Sequence, residues 1–169
     1  MKLLILLFLL TSLFSKGIVA VLDLEPTGLT KDEAKILSQR LTSELISLKK
    51  YTVVERSQMF KILDEQKFQH RGCTSSECAV EIGQLLNSDF IVAGTVSQFG
   101  SAYSIDARII NVENGSALES AKFSHKGDME ILLDEGIYNI AKQLCGYTAI
   151  TSTIVANAQN IKYTYFRKY

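Results

Sequence analysis

The groups in this 169-residue chain whose types and spacing could do chemistry are three cysteines, two histidines and a pair of strand-end carboxylates. Cys73 and Cys78 sit in the stretch GCTSSECAVEIGQLL. There Thr74 reads as a helix N-cap with Glu77 three residues on, a capping box that satisfies orphan amide donors at a helix start. That register puts Cys73 just before the cap and Cys78 at the fourth helical position, the two sites whose side chains meet in a hydrophobic staple. The sulfurs should therefore lie close, and in an oxidising compartment they should form a disulfide that contributes about 2 kcal/mol for so short a loop. Such a bond fixes how the chain enters the helix; it does not hold the domain together. Two free thiols, or a partial metal site that includes His70, are the rival readings. A closed zinc site wants a fourth ligand, and a plant-type iron–sulfur site wants a further cysteine where the chain has Glu81.

The remaining candidates are weaker. Cys145 ends the last predicted helix and reads as a small buried thiol, with a reactive thiol or one paired between chains as the alternative. His70 and His125 have no neighbouring signature of a catalytic triad and read as solvated side chains. Asp23 and Glu25 close the first strand at its C-terminal end, where α/β proteins often place ligands. With no phosphate-binding loop beside them they read first as strand-end and turn residues, and second as a ligand or partner contact. The chain has no G-x-x-x-x-G-K-[ST], G-x-G-x-x-G, H-E-x-x-H or G-x-S-x-G motif. The expectation is no catalytic residue, no cofactor, no metal and no enzyme activity.

The elements that position these groups follow from hydrophobic period. Met1-Lys2 and the apolar run to Phe14 fit a signal peptide spanning residues 1–17, with cleavage after Gly17 and cleavage after Ser15 as the neighbouring choice. The run is too short to span a bilayer, and no cysteine near it offers a lipid attachment point. Retention as an uncut anchor is the alternative. The rest, about 150 residues, suits one domain with a real core, expected over residues 18–146, and residues 147–169 form a tail or an added edge strand. Lysine plus arginine equals aspartate plus glutamate at 18 each, so no net field draws the chain to nucleic acid or an anionic membrane.

Ile18–Leu24 reads as a central strand broken by Pro26-Thr27-Gly28. Thr30 and Glu33 form a capping box that opens a helix carrying Ala34, Leu37, Leu41, Leu45 and Leu48 on one stripe. A strand at Tyr51–Glu55 follows, then a helix capped by Ser57 and the helix after Cys73. A meander of three strands comes next, turning at Phe99–Ser101 and at Asn114-Gly115, with Ser104, Asp106 and Arg108 on a wet face. A last helix from Gly127-Asp128 has its stripe at Met129, Leu133, Ile137, Ile140 and Leu144 and stops at Gly146. The fold class is α/β (α+β), a mixed sheet flanked by helices in the order β-α-β-α-α-β-β-β-α.

The stretches IVAVLDLEPTGLTKDEAKILSQRLTSEL, YTVVERSQM, GCTSSECAVEIGQLLNSDFIVAGTVSQFG and YSIDARIINVENG together resemble the CsgG family over about residues 18 to 144. This superfamily groups CsgG of curli assembly with the penicillin-binding-protein activator LpoB, and its fold is similar to the N-terminal domain of TolB. The resemblance implies a periplasmic or outer-membrane-associated location and a binding role without catalysis. The chain departs from the family in lacking a lipidation cysteine and a long flexible linker, and its hairpin turns leave no room for membrane-spanning hairpins. The expected function is an exported, non-catalytic accessory protein that binds another envelope protein in peptidoglycan synthesis, secretion or outer-membrane assembly. A self-assembling ring or secretion subunit, which would be a homo-oligomer, is one alternative. The other is a small-ligand binder or hydrolase at Asp23 and Glu25.

Overall fold

Period-two alternation along the strands sorts the apolar residues onto two faces of one sheet, and helices cover both. The structure, a computed structural model, describes residues 16–66 and 75–147. Most of the expected leader, the 67–74 segment with His70, Cys73 and Thr74, and the tail from 148 onward lie outside the described residues. The elements are β1 (Ile18–Val21), β2 (Glu25–Thr27), α1 (Lys31–Leu48), β3 (Thr52–Val53), α2 (Arg56–Glu65), α3 (Ser76–Leu85), β4 (Phe90–Phe99), β5 (Ala102–Asn111) and β6 (Ala117–Lys126). They end in α4, which runs as Met129–Ile131, a π-helical turn Leu132–Gly136, and Ile137–Leu144. The sheet order is β3-β1-β4-β5-β6. β1 is parallel to both neighbours, while β4, β5 and β6 form an antiparallel meander. This is the mixed, helix-flanked sheet expected from the sequence.

Val19 and Val21 point to one side with Val92, Val96, Ile105 and Ile109, where Leu37, Leu41 and Leu45 of α1 and Ile137, Ile140 and Leu144 of α4 close the first core. Ala20 and Leu22 point to the other with Ile91, Ala93 and Ile110, under Met59 and Leu63 of α2 and Ile82 of α3. The Thr30 capping box forms as expected: the Thr30 N–H donates to Glu33 Oε2 at 2.7 Å and the Glu33 N–H to Thr30 Oγ1 at 3.2 Å.

Four local expectations are corrected. Pro26-Thr27-Gly28 does not end the sheet. After a short jog the chain pairs again as β2, parallel to the second half of β4, with Glu25 opposite Thr95; Pro26 is tolerated because β2 pairs on one side only. The helix after Cys73 is capped by Ser75, whose Oγ accepts the Cys78 N–H at 3.2 Å, so the Thr74 register is off by one. Cys78 is then the third helical residue rather than the fourth. α2 starts at Arg56 after Glu55, without a side-chain cap from Ser57. In α4 the buried residue is Leu132, fully enclosed, while Leu133 is half-buried. The π turn supplies the extra residue between Leu132 and Ile137 that brings both onto the core.

Candidate functional site: an uncovered sheet face

Helix length decides which part of the sheet stays open. β4, β5 and β6 have 10 residues each and are about 34 Å long at a strand's rise per residue. The 18-residue α1 and the helix α4 cover one face along that length. On the other face the described residues place only α2 and α3, 10 residues each, and such helices are about 15 Å long. They reach Ile91, Ala93 and Ile110 and no further.

Beyond them the strand parity fixed by the core continues outward. Thr95 and Ser97 of β4, Ser104, Asp106 and Arg108 of β5, and Ser120, Lys122 and Ser124 of β6 share the uncovered face through the register pairs Ser97–Ser104, Thr95–Asp106, Asp106–Lys122 and Arg108–Ser120. Glu25 and Thr27 join them from β2. The result is a flat surface four strands wide, made of short hydroxyls and charges of both signs. Lys122 Nζ lies 3.6 Å from Asp106 Oδ1 with both side chains at least half exposed, so the pair orients the charges and contributes little stability. A shallow depression of about 260 Å³ sits between Thr95, Asp106, Arg108, Ser120 and Lys122. At the lower rim Phe99 is 91% exposed on the β4–β5 turn. A large apolar side chain held out on a rigid hairpin is the kind of feature that marks a contact point.

Asp23 sits in the jog between β1 and β2, and its carboxylate pairs with the Arg56 guanidinium at the start of α2. That guanidinium also stacks over the Phe60 ring, 5.2 Å from its centroid, and its Nε and Nη1 have no acceptor among the described residues. Asp23 is thus committed to an ion pair, while Glu25 faces the open surface. The two carboxylates offered together by the sequence are not brought onto one target. Cys78 packs against the second core cluster. Cys73 lies outside the described residues, so its pairing with Cys78 is taken up below as a proposal. Cys145 is buried and is the one free thiol among the described cysteines; burial pushes its pKa up, away from the thiolate form that makes a cysteine reactive. His125 lies on β6 with Nε2 buried and without a hydrogen-bond partner among the described residues. Among the described residues no three His, Cys, Asp or Glu side chains converge as metal ligands, and no helix is long and apolar enough to cross a membrane.

The sequence singled out the wet side of β5 but did not connect it to β2, β4 and β6. The signal was there in the alternate Ser120, Lys122 and Ser124. What was missing was the length comparison between helices and strands.

Residues 26–106 match the family described as curli production assembly/transport component CsgG. No curated protein matches the chain by sequence. Solved structures share the fold. The LpoB C-terminal domain from Salmonella enterica is 15% identical with a TM-score of 0.55, covering 74% of this chain and 93% of that one. Lipoprotein GNA1162 from Neisseria meningitidis is 17% identical with a TM-score of 0.56, covering 76% and 99%. The PelC dodecamer from Paraburkholderia phytofirmans is 18% identical with a TM-score of 0.52, covering 80% and 91%. The resemblance read from the sequence motifs and these likenesses agree on one CsgG/LpoB-like fold.

Proposed function

For a chain with the CsgG/LpoB-like fold, we propose the role of an exported, non-catalytic accessory factor of the cell envelope that binds another envelope protein through the uncovered face of its sheet. The observation that carries this reading is the four-strand polar surface from Glu25 to Ser124. It is rigid because its strands are anchored by the core behind it, and it is large and flat where a small-molecule site would be concave. The Cys73–Cys78 disulfide belongs to the same proposal, since export supplies the oxidising compartment it needs.

The test uses the mature chain as bait in an envelope extract, alongside a variant with Thr95→Arg and Ser104→Arg on the open face. Capture of one specific protein by the native chain, lost in the variant at unchanged melting temperature, is the expected result. Recovery of the bait alone overturns the reading; equal capture by both forms overturns the choice of face.

A second reading is a self-assembling subunit, favoured by the fold likeness to a protein solved as a dodecamer. A solely monomeric mass by light scattering at high concentration removes it. A small-ligand site at Asp23 and Glu25 is the third, and the Arg56 pairing of Asp23 weighs against it.

A further inference from the structure

Among the described residues the outer edge of β6 ends the sheet, and a side chain already occupies one of its rungs. The Lys122 N–H donates to Gln143 Oε1 at 3.1 Å, and Gln143 Nε2 donates to the Lys122 carbonyl at 3.1 Å. Both backbone groups of Lys122 therefore point away from β5. In an antiparallel pair, outward and inward residues alternate, so Ser120, Ser124 and Lys126 present their N–H and C=O along the same edge. Ser120, Lys122, Ser124 and Lys126 are all exposed. The side-chain amide of Gln143 makes with Lys122 the two bonds that one residue of a further antiparallel strand would make.

We propose that this edge receives an extended acidic segment of a partner protein as an added strand, with Gln143 as the intramolecular stand-in that it displaces. The inference rests on the accessory-factor reading above and names the part of the surface that grips. Charge selects the occupant. Lys122, which has Asp106 3.6 Å away on the same face, and Lys126 project from the edge strand onto the open face, and Lys142 stands on α4 next to Gln143. A second copy of this chain pairing antiparallel through β6 would bring two lysines from each side onto one face, which like-charge repulsion disfavours. Acidic side chains at alternate positions of an incoming strand would sit among those lysines, while its main chain completes the ladder at Ser120 and Ser124.

The probe is a synthetic ten-residue peptide alternating glutamate and threonine. Its controls are a lysine–threonine counterpart and a form with alternate backbone amides N-methylated. Binding is followed by fluorescence anisotropy and by amide hydrogen exchange at Ser120 and Ser124. The acidic peptide should slow exchange at both amides about tenfold or more, as new ladder bonds require. Gln143→Ala, which frees the occupied rung, should bind it about fivefold more tightly. Lys122→Glu with Lys126→Glu should abolish binding at low salt. Equal binding of the lysine or N-methylated peptide, or no protection at either amide, overturns the proposal. Protection of these amides without peptide overturns it too: if it scales with protein concentration the occupant is a second copy, and if it is lost on removing residues 148–169 the occupant is the chain's own end. A partner captured equally by the native chain and the Lys122→Glu, Lys126→Glu variant sinks the edge and spares the accessory reading. Binding of the peptide with no captured partner does the reverse.

Discussion

Ser38 ties the jog between β1 and β2 to α1, and Ser38→Ala tests that. The residue is fully buried in α1. Its Oγ accepts the Leu24 N–H at 2.8 Å and donates to the Ala34 carbonyl at 2.7 Å. Leu24 is itself 2% exposed, so its N–H has no route to water, and the jog from β1 to β2 depends on this one acceptor. Leaving a buried amide unsatisfied costs about 1–3 kcal/mol, while alanine's better helix propensity returns about 0.5 kcal/mol. The net loss should be about 0.5–2.5 kcal/mol, or about 1–10 °C in melting temperature for a domain of this size. Ser43→Ala is the control. Ser43 makes the same bond to the carbonyl four residues back, Oγ to Gln39 O at 3.1 Å, but is exposed, so its replacement should be neutral or stabilising by up to about 0.5 kcal/mol. Urea unfolding should give an unchanged slope with a lower midpoint for Ser38→Ala alone, and hydrogen exchange should quicken at the Leu24 amide. If both variants unfold alike, or Leu24 stays as protected as before, Ser38 does not hold the jog.

Four other outcomes follow from the same geometry. Gly94→Ala should cost about 1–3 kcal/mol or more, because its Cβ would lie 2.4 Å from the Asp106 carbonyl oxygen and 2.8 Å from Ala107 Cα; calorimetry reads it, and an unchanged melting temperature refutes it. Mass spectrometry of the exported protein without reductant should find Cys73 joined to Cys78, and reduction should speed exchange at the start of α3 while leaving the core folded; two free thiols would contradict this. N-terminal sequencing of the mature protein should begin at Ile18, whose N–H already lies 2.7 Å from Asp89 Oδ2 and as a free ammonium would pair with it; a mature chain beginning at Lys16 would show that the site lies elsewhere. Hydrogen bonds from the Thr30 backbone and then its side chain hold the Glu33 carboxyl below its ordinary value of 4.5. The Glu33 contribution is therefore present above the unfolded pKa and lost as pH falls through the folded one, so an NMR titration should place Glu33 below 4.5 and move it up in Thr30→Ala.

How much of this was legible depended on how local each cause is. The Thr30 box, the α1 stripe and the Asn114-Gly115 turn were read correctly because each is decided within a few residues. The start of α3 was misplaced because Thr74, Ser75 and Ser76 are three cap-competent residues in a row, and only the burial of Ala79 and Ile82 selects Ser75. β2 was missed because a three-residue strand has no measurable period and contains a proline; it exists because the second half of β4 offers it a partner. The π turn was invisible for a similar reason. Its one sequence mark is Gly136, where an added Cβ would meet the Phe123 ring at 2.8 Å, and that contact is tertiary. The Asp23–Arg56 pair spans 33 residues, beyond the reach of any spacing rule.

The two faces of the meander differ in what a substitution costs, and that separates folding from recognition. Ile105, with no exposed surface, belongs to the first core; truncating such a side chain to alanine costs about 2–5 kcal/mol, a large part of the 5–15 kcal/mol that holds a typical domain together. Its neighbours Ser104 and Asp106 point the other way, onto the open face, where exchanges usually stay within about 0.5 kcal/mol. One strand therefore carries a nearly fixed set of residues and a freely variable set in strict alternation. The variable set is displayed on backbone that the fixed set makes rigid, so a change of partner needs new outward side chains and no new fold. Because α2 and α3 end before they reach Thr95, that freedom is confined to the distal half of the sheet and to the β6 edge beside it.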